Sequence, residues 1–180
     1  MLPGEPSTSG GNFLRMKDLD RYPNKECRFR VLEVPFATGF QLFTDQSKPV
    51  MRMAGDPFPT DVKWKQDLDG TEGIPKAFWA CPVWNYIEKK VQLWSFTQGT
   101  VHKQLRALFD DDDWGDPTAY DMKLRRAGSG MDMEYTLTPG AKKPLDGEPA
   151  AAWEKVRGEW TGLSALFAGK DPFATFDLPF

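Results

Sequence analysis

From Cys27 onward the hydrophobic and polar positions fall into short alternating runs. In CRFRVLEVPF, Phe29 and Val31 alternate with Arg28 and Arg30, the period of a strand with one buried face. GFQLFT and KPVMRM read as two more short strands, separated by a polar turn at Asp45 to Lys48. The stretch AGDPFPTDVKWKQDLDGTEGIP is punctuated by Pro, Gly and Asp and reads as a loop, yet it carries Phe58, and Trp64 between Lys63 and Lys65. Ala77 to Tyr86 is aromatic and β-prone, with Pro82 marking an edge or a bulge. Glu88-Lys89-Lys90 turns, and Val91 to Thr97 returns as the second arm of a hairpin.

The period then changes. Val101, Leu105, Leu108 and Phe109 fall at helical spacing behind a Thr100 N-cap, and Asp110 to Asp113, Gly115 and Pro117 end the helix. Met122 and Leu124 alternate with Lys123 and Arg125, Gly128-Ser129-Gly130 turns, and Met133, Tyr135 and Leu137 alternate on the way out. Strands, one short helix and then a hairpin is the order of an OB-type barrel, whose helix sits between the third and fourth of five strands. The expected fold is therefore mainly β, an elaborated five-stranded OB-type barrel spanning residues 21–140. Residues 1–20 read as a flexible arm, 141–149 as a linker and 150–168 as one amphipathic helix. Trp153, Val156, Trp160, Leu163 and Phe167 share the stripe of that helix, and 169–180 read as an extended tail.

Composition narrows the function. A length of 180 residues favours one domain with tails. The net charge of −3 removes the whole-molecule signature of a basic nucleic-acid binder, but not a local basic groove. Seven Trp and thirteen Phe are many for this length; a core absorbs several, and a surplus of large rings invites a stacking or docking role. Cys27, Cys81 and His102 are too few for a four-ligand Cys/His zinc site, so no metal and no cofactor is expected. Asp110 to Asp113 lacks the spaced pattern of a calcium loop and reads as an acidic helix end. There is no nucleophile with a paired base, no phosphate-binding loop and no apolar run of membrane length. The chain reads as a non-enzyme of the cytoplasm.

The chemistry that remains is aromatic and basic interleaving. Lys63-Trp64-Lys65, Lys76, Trp84, Tyr86, Lys89, Lys90 and Trp94 lie near the expected barrel face, where rings stack on bases and cations track phosphates. Arg28, Arg30, Arg52, Lys123 and Arg125 are the further candidates for a cationic groove. Each ring has core packing as its ordinary alternative, and each cation a solvated outer face.

The run WGDP…YD…R…GSGMD.EYT…P, Trp114 to Pro139, resembles a pattern of tailed-phage single-stranded DNA-binding proteins. These have an OB-type fold, broadly that of the helix-destabilising class of T4-type phages, here without its zinc ligands. The tip Asp177-Leu178-Pro179-Phe180 is similar to the Asp–aliphatic–Pro–Phe end of bacterial single-stranded DNA-binding proteins, which implies recruitment of replication or recombination partners. The expectation is sequence-independent binding of single-stranded DNA during phage DNA replication, recombination or repair in the host cytoplasm, with self-association on DNA as a further possibility. The alternatives are a protein-interaction or virion component and an RNA-binding OB module.

Overall fold

One ten-residue strand organises the sheet. The computed structural model describes residues 11–68, 70–158, 160, 162–169 and 172. In chain order the strands are β1 (Phe13–Leu14), β2 (Glu26–Val31), β3 (Ala37–Phe43), β4 (Pro49–Arg52), β5 (Lys76–Asn85), β6 (Lys90–Phe96), β7 (Tyr120–Ala127) and β8 (Glu134–Lys142). Among the described residues two α-helices accompany them, α1 (Gly99–Asp110) and α2 (Gly147–Arg157). No helix among the described residues is long and apolar enough to cross a membrane.

Along one edge of β5, β2 pairs with its second half and β3 with its first, both antiparallel. Pro82 lies opposite the junction of these two partners, where its carbonyl accepts the Leu32 N–H at 2.9 Å. The N–H that Pro82 lacks would face this irregular junction, so the ladder to β6 stays intact. β6 pairs along the other edge of β5, β7 pairs with β2, and β8 with β7. β1 adds to β6 in parallel, and β4 adds to β3.

The expectation of a five-stranded barrel thus meets an open mixed sheet of eight strands. Both predicted hairpins are present, and α1 lies between them in the chain. No ladder joins β6 to β8 among the described residues. The side-chain amide of Gln104 on α1 instead serves the edge of β8, donating to the Tyr135 carbonyl and accepting from the Leu137 N–H, both at 2.8 Å.

Strand alternation gives the sheet two apolar faces. The inner face buries Cys27, Phe29, Trp94, Phe96, Met122 and Leu124 beneath Val101 and Leu105 of α1. On the outer face Trp84 and Val91 pack against Trp153 of α2, and Phe78, Ala80 and Leu93 pack against Leu166. The predicted helix over 150–168 is in fact two pieces. α2 ends at Arg157, Gly162 takes φ +89°, and a separate 3-10 turn runs from Leu163 to Ala168. Glycines at 158 and 162 interrupt the stripe, and its two ends cover different parts of the sheet. The expected linker is also short, because β8 runs to Lys142 and α2 starts at Gly147.

The N-terminal arm is corrected as well. Phe13 and Leu14 are 2% exposed, Leu19 is wholly buried, and Met16–Arg21 forms a 3-10 turn. Gln92 and Asn85 fasten this segment to the β5–β6 turn. Gln92 Nε2 donates to the Gly11 carbonyl at 3.2 Å, and Asn85 Nδ2 donates to the Tyr22 hydroxyl at 3.1 Å. The segment is therefore core, with β1 extending the edge of the sheet. Leu14→Ala is expected to cost about 2–5 kcal/mol in urea unfolding, the range for a buried Leu truncation. A cost under ~0.5 kcal/mol would restore the arm reading.

Candidate nucleic-acid interface

One groove follows from how β3 and β4 leave the sheet. Their hairpin closes through a turn in which the Ser47 N–H donates to the Thr44 carbonyl at 2.8 Å and Ser47 takes φ +61°. The loop after β4 then returns as a third short extended piece. Asp45 N–H donates to the Lys63 carbonyl and Lys65 N–H to the Phe43 carbonyl, each at 2.9 Å. Thr44 and Trp64 are paired, so alternation puts them on one face, with Phe43 and Lys65 on the other.

Phe43 and Lys65 face a groove of about 680 Å³ between this hairpin, the segment Phe13–Lys17 and the end of β6 at Ser95–Gln98. Its cations are Arg15, Lys17 and Lys65, and no carboxylate lines it among the described residues. Phe43 is 41% exposed. The amides of Gln41, Gln46 and Gln98 add donors and acceptors in the same groove. Positive charge, an open ring and adaptable amides are what a single strand needs for phosphate contact and base stacking.

A second basic surface lies on the outer face of β2 and β7. Arg28 is the ladder partner of Lys123, and Arg125 stands opposite Glu26. Asp121, 4% exposed, gathers the cations around it. It accepts from Arg28 Nε at 3.0 Å and from Arg28 Nη2, from Arg30 Nη1 at 3.1 Å, and from the Tyr86 hydroxyl at 2.8 Å. Lys143 Nζ lies 3.2 Å away. The Arg28 guanidinium also covers the Tyr86 ring at 4.5 Å. Burial pushes the Asp121 carboxyl up, but hydrogen bonds from Arg28, Tyr86, Arg30 and Lys143 outweigh it and hold it below its usual range. Burial and the bond to Asp121 push the Tyr86 hydroxyl up to about 12, so it remains a donor.

These placements sort the residues predicted from sequence. Lys65 lies in the groove, and Lys76, the ladder partner of Gln41, stands on the same side of the sheet. Arg28, Tyr86, Lys123 and Arg125 share the second surface. Three predictions are overturned. Trp94 has no exposed surface and stacks on Phe96 in the inner core, while Trp84, 2% exposed, lies under Trp153. Neither ring can meet a base. Arg30 is 1% exposed, with Nε on the Thr118 carbonyl at 2.9 Å and Nη2 on the Lys143 carbonyl, so it is a structural cation.

The Lys63-Trp64-Lys65 cluster is split by strand alternation. Trp64 faces away from the groove, half-exposed and edge-on to Phe58 at 5.9 Å. Arg52, the ladder partner of Phe40, is on that opposite face too. Lys89 and Lys90 sit at the β5–β6 turn and line neither site. Asp177, Leu178, Pro179 and Phe180 lie outside the described residues. The sequence reading missed Arg15, Lys17, Phe43, Lys143 and Asp121. The alternation of Leu14 and Met16 with Arg15 and Lys17 was the available signal for the first two.

No known protein family matches the chain, and neither does any curated protein or solved structure.

Asp121→Asn tests the charge cluster. A depressed carboxyl contributes stability above the ordinary Asp range, and that contribution fades as the pH falls through the depressed value. The variant is expected to lose about 3–5 kcal/mol at pH 7, because Arg30 keeps a buried charge without its partner. Its stability is also expected to fall less than the wild type's between pH 5 and pH 2, read by urea unfolding. Parallel acid limbs in the two proteins would contradict the assignment.

Proposed function

We propose that the chain binds single-stranded DNA without strong sequence preference, and that the groove between the β3–β4 hairpin and the end of β6 is where the strand lies. The observation that carries this reading is the groove's composition: Arg15, Lys17 and Lys65 with no carboxylate among the described residues, beside the exposed ring of Phe43. Every base has a π-face and every phosphate a charge, so such a site discriminates little between sequences. Binding then sequesters the single strand by mass action and shifts the duplex equilibrium. Nothing in this requires an enzyme.

An OB-type core supports the same reading. Taken as five strands, β2, β5, β6, β7 and β8 run in the order of that barrel, with α1 between the third and fourth. β3 continues β2 along β5, and Gln104 bonds the edge of β8 where a barrel would close with a ladder. On this view β3–β4 is an elaboration that rises beside the binding face. A role in phage DNA replication, recombination or repair in the host cytoplasm follows from the sequence resemblance alone. So does recruitment through the C-terminal tip, and self-association on DNA is a further part of the proposal.

Titration of a labelled dT oligomer followed by anisotropy is expected to show binding that weakens linearly in log–log salt plots. The double variant Lys17→Ala, Lys65→Ala is expected to flatten that slope by ~0.7 for each phosphate left without its lysine. A duplex of equal length should bind more weakly, and an RNA oligomer in competition separates the DNA reading from the RNA one. Absence of binding at low salt would sink the proposal.

A further inference from the structure

We infer that the pocket between β2, β7 and β8 is a site for a phosphate monoester, the group carried by a nucleotide or by the phosphorylated end of a strand. The strand-end form rests on the nucleic-acid reading above; the pocket's chemistry does not. Its volume is about 340 Å³, lined by Arg28, Asp121, Lys123, Thr138 and Lys143 with the stretch 139–141 of β8. At ~30 Å³ per water this is roughly eleven waters, enough for a phosphate and its attached sugar.

The charge count favours a dianion. Asp121 is the one carboxylate lining the pocket among the described residues, and it already faces Arg28, Arg30 and Lys143. Lys123, the ladder partner of Arg28, adds a fourth cation. Four positive charges against one negative leave a surplus of three. A monoester near −2 draws more from that surplus than a phosphodiester at −1.

The donors are also held in place. Arg30 is locked beneath the site by the Thr118 and Lys143 carbonyls. Arg28 is stacked on Tyr86, and its Nε and Nη2 are bonded to Asp121. Thr138 is the ladder partner of Lys123 and brings a hydroxyl to the same side. Gly140 keeps the wall close, because a Cβ there would stand 3.3 Å from the Asp121 carbonyl oxygen. Asp121 thus acts as the gathering point for cations whose combined charge exceeds its own, and that excess attracts an incoming anion.

The test uses the full chain and three probes: thymidine 5′-monophosphate, thymidine, and dT oligomers with a 5′-phosphate or a 5′-hydroxyl. In ¹⁵N spectra the monophosphate is expected to shift the Gly140 and Ala141 amides saturably, and thymidine to leave them in place. Lys123→Ala, at an exposed position, is expected to weaken the monophosphate roughly tenfold, while Lys89→Ala leaves it unchanged. Tighter binding of the 5′-phosphorylated oligomer, abolished by Lys123→Ala, assigns the strand end as the source; equal oligomers with a monophosphate response assign the free nucleotide. Saturable shifts without oligomer binding keep the pocket and remove the nucleic-acid function. Unmoved Gly140 and Ala141 amides overturn the pocket even if oligomers bind elsewhere. An equal loss for both oligomers in Lys123→Ala, with no monophosphate response, makes the surface a backbone track and overturns it too.

Discussion

The ion pair of Arg30 with Asp121 joins the two halves of the sheet. β2 is the strand shared by the β5–β6 hairpin and the β7–β8 hairpin, and Arg30 sits at the end of its ladder with β7. A guanidinium at 1% exposure needs every donor matched, since an unpaired buried charge costs several kcal/mol. Asp121 and the Thr118 carbonyl, at the entry to β7, and the Lys143 carbonyl, just past β8, supply the partners. The pair therefore fixes where β7 begins and where the chain leaves β8. It also sets the outer face on which the basic surface lies.

That outer face is divided by what covers it. In its middle, Trp84, Phe78 and Leu93 are buried beneath Trp153, Leu166 and their neighbours, and the strand rings there serve packing. Toward one end lie Arg28, Lys123 and Lys143; toward the other the sheet runs into the groove with Phe43 and Lys65. Net charge is negative for the whole chain, yet both sites concentrate cations. Exposed aspartates at 110–113 and elsewhere balance them without lining the groove. A local cationic surface on an acidic protein favours contact with phosphates at short range over long-range capture.

Much of the fold was legible because alternation is a local property. The period of two in CRFRV and in MKLRR marked β2 and β7, and the turn chemistry at Gly128-Ser129-Gly130 marked the β7–β8 hairpin. What alternation cannot say is which face another element covers. Arg28 and Arg30 share a face, yet only Arg30 is sealed by the chain leaving β8. Trp84 and Trp94 read alike in sequence and are buried on opposite faces by different partners. The break between α2 and the turn at Leu163–Ala168 depends on two glycines that a hydrophobic stripe conceals. The groove itself joins residues from four separate stretches, which no window of sequence brings together.

The central claim is the position of the strand, and hydrogen exchange with and without a saturating dT oligomer tests it most directly. Slowed exchange is expected at residues 13–17, 41–51, 65 and 95–98, the stretches that contribute to the groove. Protection confined to the Lys89–Lys90 turn, or to the outward side of α2 with the groove unchanged, would contradict it.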